Sequence, residues 1–327
     1  VTPFYRLIPE KHKTSTIIPS MGVPMGSEEI WCAVRHKELE GTVDGKTVSL
    51  PVYFIEHEHH FFRHGYYDDG LHAYPDNASR FGFFSKAVLQ ICRALDWTPD
   101  IFHSNDWHTA LVPFYLKQAQ LENKDFLKSS SVLTIHNAGY QGDAPEIFRH
   151  SLGIPLENFV LEMFEDHGNL NLLKGGINFA DQVNTVSPGY AEEMKTPLGS
   201  HGLYDTYLSK GEKFSGILNG CDYDEWDPET DPHLPANFSS ADLAGKKQCK
   251  LEMQRLFGFP ESASVPLIGM VSRLTMQKGF DYLMPAMPEI LGLNAQVIVL
   301  GSGELWIANA FDQLQQKFPK KLGWYNG

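Results

Sequence analysis

Two cations follow an apolar stretch late in the chain, and their position suits an anion site. The run Leu267–Val271 predicts a buried strand, Arg273 stands just after it, and Lys278 lies five residues further on. In open α/β sheets, ligands bind outside the carboxyl ends of the strands. A guanidinium fork matches phosphate oxygens and an ammonium adds a mobile charge, so the pair could neutralise a leaving nucleoside diphosphate. The alternative is two solvated loop cations.

The segment Ile101–Leu111 begins as a predicted strand and opens a helix, which places His103, Asp106, Trp107 and His108 at the edge of the sheet. A carboxylate accepts hydrogen bonds from sugar hydroxyls and an indole covers the apolar side of a sugar ring, so Asp106 and Trp107 suit carbohydrate. The alternative makes Asp106 a helix N-cap and Trp107 core filling. The two histidines have no recognised metal-ligand spacing, and we expect no metal here.

A third strand end carries His136 and Asn137 in a compact, polar, glycine-punctuated turn. An unpaired imidazole is costly to bury, so a histidine that leaves a buried parallel strand is favoured in a cleft. The alternative is a core histidine that a backbone carbonyl satisfies.

Four histidines lie between residues 57 and 64 and raise the question of a metal. Aromatic residues surround them and no fourth ligand is implied, so a solvated loop is the favoured interpretation. Nearby, Asp68 and Asp69 beside Tyr66 suit polar recognition of a substrate.

The turn after the predicted strand Gln296–Leu300 contains Gly301 and Gly303 and opens a helix. Backbone amides of such a turn can cradle a phosphate or a ribose. A plain strand-to-helix turn has the same sequence appearance, so the turn alone is weak evidence.

The composition is that of an ordinary globular protein, with 42% hydrophobic and 20% charged residues in 327. The net charge of −13 disfavours nucleic acid and anionic membranes as partners. The four cysteines show no zinc or CxxC spacing and predict reduced thiols in a cytoplasmic compartment. No GxSxG or GxxxxGK[ST] motif occurs, which disfavours serine hydrolases and P-loop kinases. No apolar run is long enough to predict a membrane-spanning helix.

Short apolar runs alternate with helical patterns, which predicts an α/β fold of doubly wound parallel sheets in two domains. The polar segment Asp222–Gly245 predicts a connection, with a domain boundary between residues 214 and 215. A hairpin turn is predicted at Asp44 and Gly45. The predicted strands are Val52–Glu56, Asp100–His103, Ser131–His136, Gln182–Thr185, Leu267–Val271 and Gln296–Leu300. The predicted helices are Asn77–Leu95, Thr109–Gln118, Asn171–Phe179, Pro188–Glu193, Phe280–Leu291 and Glu304–Lys317.

In their order and spacing, six motifs resemble those of the bacterial glycogen synthases and plant starch synthases, the retaining glucosyltransferases of glycosyltransferase family 5. They are HSNDWHTAL, LTIHNAGYQG, NTVSPGYAEE, GILNGCDYDEWDPETD, VSRLTMQKG and LGSGE. The resemblance implies a GT-B fold, two Rossmann-like domains facing a cleft, with residues 1–214 on the acceptor side and 215–327 binding the nucleotide sugar. It also implies transfer of glucose from ADP-glucose or UDP-glucose to the non-reducing end of an α-1,4-glucan, glycogen or starch, without a metal or cofactor.

The resemblance also assigns roles to single residues. The catalytic residues it implies are His136, Arg273 and Lys278. The donor-binding residues it implies are Asn219, Arg273, Lys278, Gly301 and Gly303. The acceptor-binding residues it implies are Tyr66, Asp106, Trp107 and Asn137.

Parts of the family pattern have no counterpart in this chain. The family's amino-terminal lysine with its glycine-rich loop would precede Val1, and its glutamate-bearing motif would follow Gly327. We therefore expect a segment, shortened at both ends, that is inactive alone. The alternatives are a glucan-binding or regulatory relative without turnover and a phosphorylase, which would need a lysine carrying pyridoxal phosphate. The resemblance favours ADP-glucose without deciding it, and a plastid location would follow from a plant or algal origin.

Overall fold

A computed structural model describes residues 1–8, 12–43, 45–70, 72–122 and 124–327. The chain forms two compact units, Val1–Asn219 and Gly220–Gly327. In chain order, the strands of the described residues are β1 Thr2–Pro3, β2 Ser15–Met25, β3 Glu28–Val43, β4 Lys46–Glu56, β5 Ile101–Asn105, β6 Ser130–Ile135, β7 Asp143–Pro145, β8 Glu165–Asp166, β9 Asn169–Asn171, β10 Gln182–Thr185, β11 Phe214–Gly216, β12 Leu267–Val271, β13 Gln296–Gly301 and β14 Leu322–Asn326.

Helices alternate with the later strands, as the sequence predicts. The α-helices of the described residues span Glu58–Phe61, Asn77–Ala94, Leu111–Glu122, Phe148–Ser151, Leu172–Phe179, Pro188–Met194, Tyr204–Ser209, Ala244–Leu256, Phe280–Gly292 and Leu305–Lys317. Single 3-10 turns span Trp107–Thr109, Leu156–Asn158, Gly211–Lys213 and Met276–Lys278. The predicted strands and helices are all present, Gln182–Thr185 and Leu267–Val271 with the predicted ends and the others with shifted ends, and the α/β fold class is confirmed.

The first sheet of the amino-terminal unit has the order β1-β4-β3-β2 and is mostly antiparallel. Val52–Glu56 is a strand and forms the end of β4, which pairs parallel with β1 on one side and antiparallel with β3 on the other. The predicted hairpin is confirmed by the pairing of Val43 with Lys46, while Asp44 lies outside the described residues. Residues 38–43 are exposed, so this part of β3 has no alternation of burial that a sequence could reveal.

The second sheet, with the order β11-β10-β6-β5, is entirely parallel and carries the strand ends that matter below. Buried side chains alternate along β6, with Ser131, Leu133 and Ile135 facing inward. His136 comes directly after β6 and therefore lies beyond the sheet. The strand β11 pairs with β10, so a boundary between residues 214 and 215 would fall inside this sheet.

The helix Asn77–Ala94 forms much of the core between these sheets. Phe81, Phe84 and Leu89 are each at most 4% exposed and belong to one apolar cluster with residues of β2 and of the helix Leu111–Glu122. Burying side chains of this size contributes roughly 1.5 to 3 kcal/mol each, which fixes the start of the helix against the sheet.

The carboxyl-terminal unit contains the parallel sheet β12-β13-β14. Its apolar core includes Phe280, Phe311 and Trp324, and the last two rings stack at 5.3 Å. In the part of the chain that the structure describes, no helix is both long and apolar enough to cross a membrane.

One histidine of the run predicted as a solvated loop lies in the core. His60 is 7% exposed, its ring stacks on His57 at 4.2 Å, and neither ring nitrogen has a hydrogen-bond partner. Burial, and then the neighbouring His57, lowers the pKa of His60 to about 3. The folded protein therefore holds this imidazole neutral well below its ordinary pKa of 6.5.

We expect His60→Phe to make the protein less sensitive to acid. Below pH 6.5 the unfolded chain protonates His60 and the folded chain does not, so stability is lost as the pH falls toward 3, by up to about 1.4 kcal/mol per pH unit. Phenylalanine takes no proton. Urea unfolding at about pH 5 and about pH 8 should show the larger advantage of the variant at the lower pH. An advantage that does not change with pH would contradict the expectation.

Candidate functional site

Asp106 joins the ends of two neighbouring strands. It follows β5, and one of its carboxylate oxygens accepts a 2.7 Å hydrogen bond from the backbone N–H of His136, just after β6. Its own N–H donates to the carbonyl of Thr134 at 2.8 Å. Asp106 is the N-cap residue of the 3-10 turn Trp107–Thr109 by position, as the alternative had it, but its side chain makes no capping hydrogen bond and bonds His136 instead.

The backbone of Asp106 is strained. Its φ of 55° and ψ of −176° lie in a region that is almost restricted to glycine and costs about 1 to 3 kcal/mol for other residues. The strained residue is an aspartate because its carboxylate holds the His136 turn. Strain of this kind gathers at functional sites, where the geometry is part of the chemistry.

His136 is exposed, so the alternative of a core histidine was wrong. Its Nε2 lies 3.0 Å from Oδ1 of Asn105, the last residue of β5. His136 is thus held from two sides, through its backbone N–H by Asp106 and through its ring by Asn105. The next residue, Asn137, is partly buried, and its side-chain oxygen accepts from the N–H of Gly139 at 2.9 Å, which closes the turn.

Trp107 is partly buried and packs against both apolar clusters of the amino-terminal unit. Its ring lies on the backbone of Gly142, where a Cβ would overlap the indole, and 5.1 Å from the ring of Phe81. The alternative of core filling therefore describes much of this side chain. Trp107 sets the distance between the Asp106 turn and the turn after His136.

Sequence reasoning missed Tyr67. Its ring is 45% exposed, packs 4.7 Å from the ring of His108, and has its pKa raised by burial and then by the charge of Asp106. Tyr66, the tyrosine that the sequence indicated, is 48% exposed and packs edge-on against Tyr5 at 4.8 Å. The signal in the sequence was the Tyr-Tyr pair, but nothing there shows which ring turns toward Asp106.

An open, polar groove of about 440 Å³ adjoins the turn after His136. Its lining includes Gly139, Asp143, Asp166 and His201. Burial, and then the charge of Asp166, raises the pKa of Asp143. Such a lining offers hydrogen-bond acceptors to hydroxyl groups of a ligand.

One histidine cluster has the spacing of metal ligands. Atoms of His59, His60 and Asp76 lie within 4.8 Å of one another. Both carboxylate oxygens of Asp76 already accept from Arg63, at 2.7 and 2.6 Å. This guanidinium places a positive charge where a cation would bind, and the cluster is better explained as packing.

In the carboxyl-terminal unit, Arg273 and Lys278 lie in the loop that follows β12, and both side chains are exposed. Neither takes part in an ion pair within the described residues. Exposed charges without an ion pair fit both the predicted anion site and the alternative of two solvated loop cations, so the anion site stays a prediction.

The glycines of the following turn shape the cation loop. A Cβ at Gly301 would overlap the carbonyl oxygen of Ser272, and one at Gly303 would overlap that of Leu274. The N–H of Leu274 donates to Ser302 at 2.8 Å, and the N–H of Glu304 donates back to Leu274 at 2.8 Å. Close packing of two loops thus explains both glycines, beside the contact with a donor that the resemblance implies.

Asn219 is exposed and is the last residue of the amino-terminal unit. The structure places Asp106, Trp107, Tyr66, His136 and Asn137 in this unit.

The comparisons with known proteins agree on one family. The model of the starch synthase catalytic domain matches residues 1–209. Glycogen synthase 1 of Geobacter sulfurreducens is 43% identical over 329 residues, covering 100% of this chain and 64% of the relative. The glycogen synthase of an Anaeromyxobacter species is 44% identical over 273 residues, covering 83% of this chain and 57% of the relative.

A solved structure matches both units. It is the catalytic domain of starch synthase IV from Arabidopsis thaliana bound to ADP and acarbose, with a TM-score of 0.83 and 30% identity. The match covers 99% of this chain and 66% of that one. This chain thus spans less than two thirds of these relatives, and its likeness to the plant domain confirms the predicted GT-B fold class.

The strain at Asp106 predicts an unusual order of stabilities. Asp106→Ala and Asp106→Gly both lose the bond to His136, but glycine tolerates the backbone angles and alanine does not. We expect the glycine variant to be more stable by about 1 to 3 kcal/mol in urea unfolding. Asp106→Asn, which keeps a side-chain oxygen, serves as the control for the hydrogen bond. Equal stability of the alanine and glycine variants would mean that the turn relaxes without cost.

Proposed function

Because the chain belongs to the family of starch synthase catalytic domains, we propose that the full-length protein is a glycogen or starch synthase. It transfers glucose from a nucleotide sugar to the non-reducing end of an α-1,4-glucan with retention of configuration. ADP-glucose is the favoured donor and UDP-glucose the alternative. The observation that carries this proposal is the family match over residues 1–209, with 43% identity to a glycogen synthase along the whole chain.

The donor side of the proposed reaction rests on Arg273 and Lys278. As the glycosidic bond to the diphosphate breaks, negative charge grows on the leaving phosphate oxygens. An exposed guanidinium and ammonium without carboxylate partners can stabilise that charge, and fixed charges of this kind are usually a large part of catalysis. Asn219, Gly301 and Gly303 complete the proposed donor contacts.

His136 is the proposed residue beside the transferred glucose. Positive charge develops on the sugar ring in an oxocarbenium-like transition state, so a group near the ring has to be placed accurately. The 2.7 Å hydrogen bond from the His136 backbone N–H to Asp106 and the 3.0 Å contact of its ring with Asn105 support that placement. The strain at Asp106 fits this role.

The acceptor side of the proposal consists of Tyr66, Asp106, Trp107 and Asn137, to which the geometry adds Tyr67. Exposed tyrosine rings cover the apolar faces of glucose units, and carboxylate and amide groups bond their hydroxyls. Tyr67 has the stronger geometric support of the two tyrosines, because its ring packs against His108. Burial, and then the charge of Asp106, raises the pKa of Tyr67.

The competing proposal is a glucan-binding or regulatory relative without turnover. The unpaired cations Arg273 and Lys278 count against it, because glucan binding alone needs no site for a diphosphate. Transfer of radiolabelled glucose from ADP-glucose to glycogen by the full-length protein separates the two. Competition between unlabelled ADP-glucose and UDP-glucose in the same assay decides the donor, and an absence of transfer from either would overturn the proposed function.

We expect Lys278→Ala in the full-length protein to lower kcat by about 100-fold or more while glucan binding stays unchanged, because the variant loses a charge that acts on the leaving group. Lys320→Ala, which removes another exposed lysine of the same unit, is the matched control and should leave turnover unaltered. Initial rates with ADP-glucose and glycogen, with sedimentation on glycogen as the binding assay, check both. Unchanged turnover of the Lys278 variant would remove this lysine from the mechanism.

A further inference from the structure

Within the part of the chain that the structure describes, Arg80 is a buried cation with no ion-pair partner. Its side chain lies in the first turn of the helix Asn77–Ala94 and is 0% exposed. The nearest candidate for an ion pair, Asp76, is bonded through both carboxylate oxygens to Arg63. Burial, and then the charge of Arg63, lowers the pKa of Arg80. An ion pair therefore does not explain why this buried position holds an arginine and not an apolar side chain.

Aromatic rings surround the guanidinium of Arg80. Its central carbon lies 4.9 Å from the ring centre of Phe81, 5.3 Å from that of Tyr74 and 5.6 Å from that of Phe61. Cation–π contacts offset part of the cost of burying the charge. Among the described residues, Nε and Nη2 of the guanidinium have no hydrogen-bond partner, and Nη1 makes two hydrogen bonds.

Nη1 of Arg80 bonds the segment that contains Tyr66 and Tyr67, which we call the tyrosine loop. Nη1 of Arg80 donates to the carbonyl oxygen of Tyr66 at 3.0 Å and to Oδ1 of Asn77 at 2.8 Å. Asn77 in turn donates through Nδ2 to the carbonyl oxygen of Tyr67 at 2.9 Å, and Tyr74 donates its N–H to the same oxygen at 3.0 Å. The two tyrosine carbonyls are thus bonded to the first turn of the helix and to Tyr74, three residues before it.

We infer that Arg80 is a positioning residue for the glucan acceptor, an inference that rests on the proposed function. It acts through the backbone of Tyr66 and keeps the ring of Tyr67 against His108, on the side of Asp106. Arg80 touches no substrate itself. An apolar side chain of similar size would fill the aromatic cage equally well, but it could not bond the tyrosine loop.

The substitution Arg80→Met separates positioning from packing. The change removes the cost of burying a charge, but it also leaves the carbonyl oxygen of Tyr66 and Oδ1 of Asn77 without their donor, so we expect only a small change in Tm. The tyrosine loop loses its bond, and the KM for maltoheptaose should rise about tenfold while the KM for ADP-glucose changes less than about twofold. Arg80→Lys keeps the charge without the guanidinium fork, and its KM for maltoheptaose should lie between those of the unaltered protein and of Arg80→Met.

Arg93→Met is the matched control. Arg93 lies in the last turn of the same helix, pairs with Asp125 at 2.8 Å and stands over the ring of Phe126 at 5.6 Å. We expect this variant to lose some stability and to keep both KM values. A double variant, Arg80→Met with Tyr67→Ala, tests the route. If Arg80 acts through the tyrosine loop, the two effects on the KM for maltoheptaose are not additive.

Each result supports or overturns the inference. It is overturned if Arg80→Met leaves the KM for maltoheptaose unchanged, or raises both KM values together with a fall in Tm, which is the pattern of a structural role. Additive effects in the double variant overturn the route through Tyr67. If Arg80→Met does not fold by circular dichroism, Arg80→Lys decides on the same criteria. If the unaltered full-length protein transfers no glucose, the proposed function and this inference fail together.

Discussion

The hydrogen bond from the His136 N–H to the carboxylate of Asp106 determines how the amino-terminal site is built. It joins the ends of β5 and β6, at 2.7 Å, from a residue whose backbone angles favour glycine. The sheet positions the ends of β5 and β6. The strained Asp106 fixes how the two chain segments that follow these strands lie relative to one another. Trp107 on Gly142 and the His136 ring on Asn105 both depend on that arrangement.

The sequence predicts the parallel part of the fold well because each strand there is short, apolar and followed by a helix. It predicts the first 56 residues poorly for a physical reason. The outer part of β3 is exposed on both faces, so neither an apolar run nor alternation marks it. Its pairing with β4 comes from backbone hydrogen bonds, which any residue other than proline can donate, and these leave no side-chain pattern.

Strand ends could be predicted in the site as well, since Asp106 and His136 stand directly after a strand and Arg273 stands two residues after one. Contacts between loops could not. Tyr67 differs from Tyr66 only in the direction its ring takes, and Arg80 looks like any surface arginine of a helix. What distinguishes Arg80 is a cage of three rings and a carbonyl acceptor 14 residues away, and a single sequence contains no record of these contacts.

Burial decides what a positive charge can do in this protein. Arg80 has no access to solvent, so its charge acts on the groups packed around it, which include three aromatic rings and the carbonyl of Tyr66. Its contribution is to the conformation of the loop that contains Tyr66. Arg273 and Lys278 are exposed after β12 and form no ion pair among the described residues, so their charges are free to meet a bound anion. The chain has a net charge of −13, so acidic side chains outnumber basic ones. Two basic side chains without an ion pair at one strand end are therefore unexpected. The arrangement makes physical sense if a strongly anionic ligand, such as a diphosphate, binds there and supplies the missing negative charge.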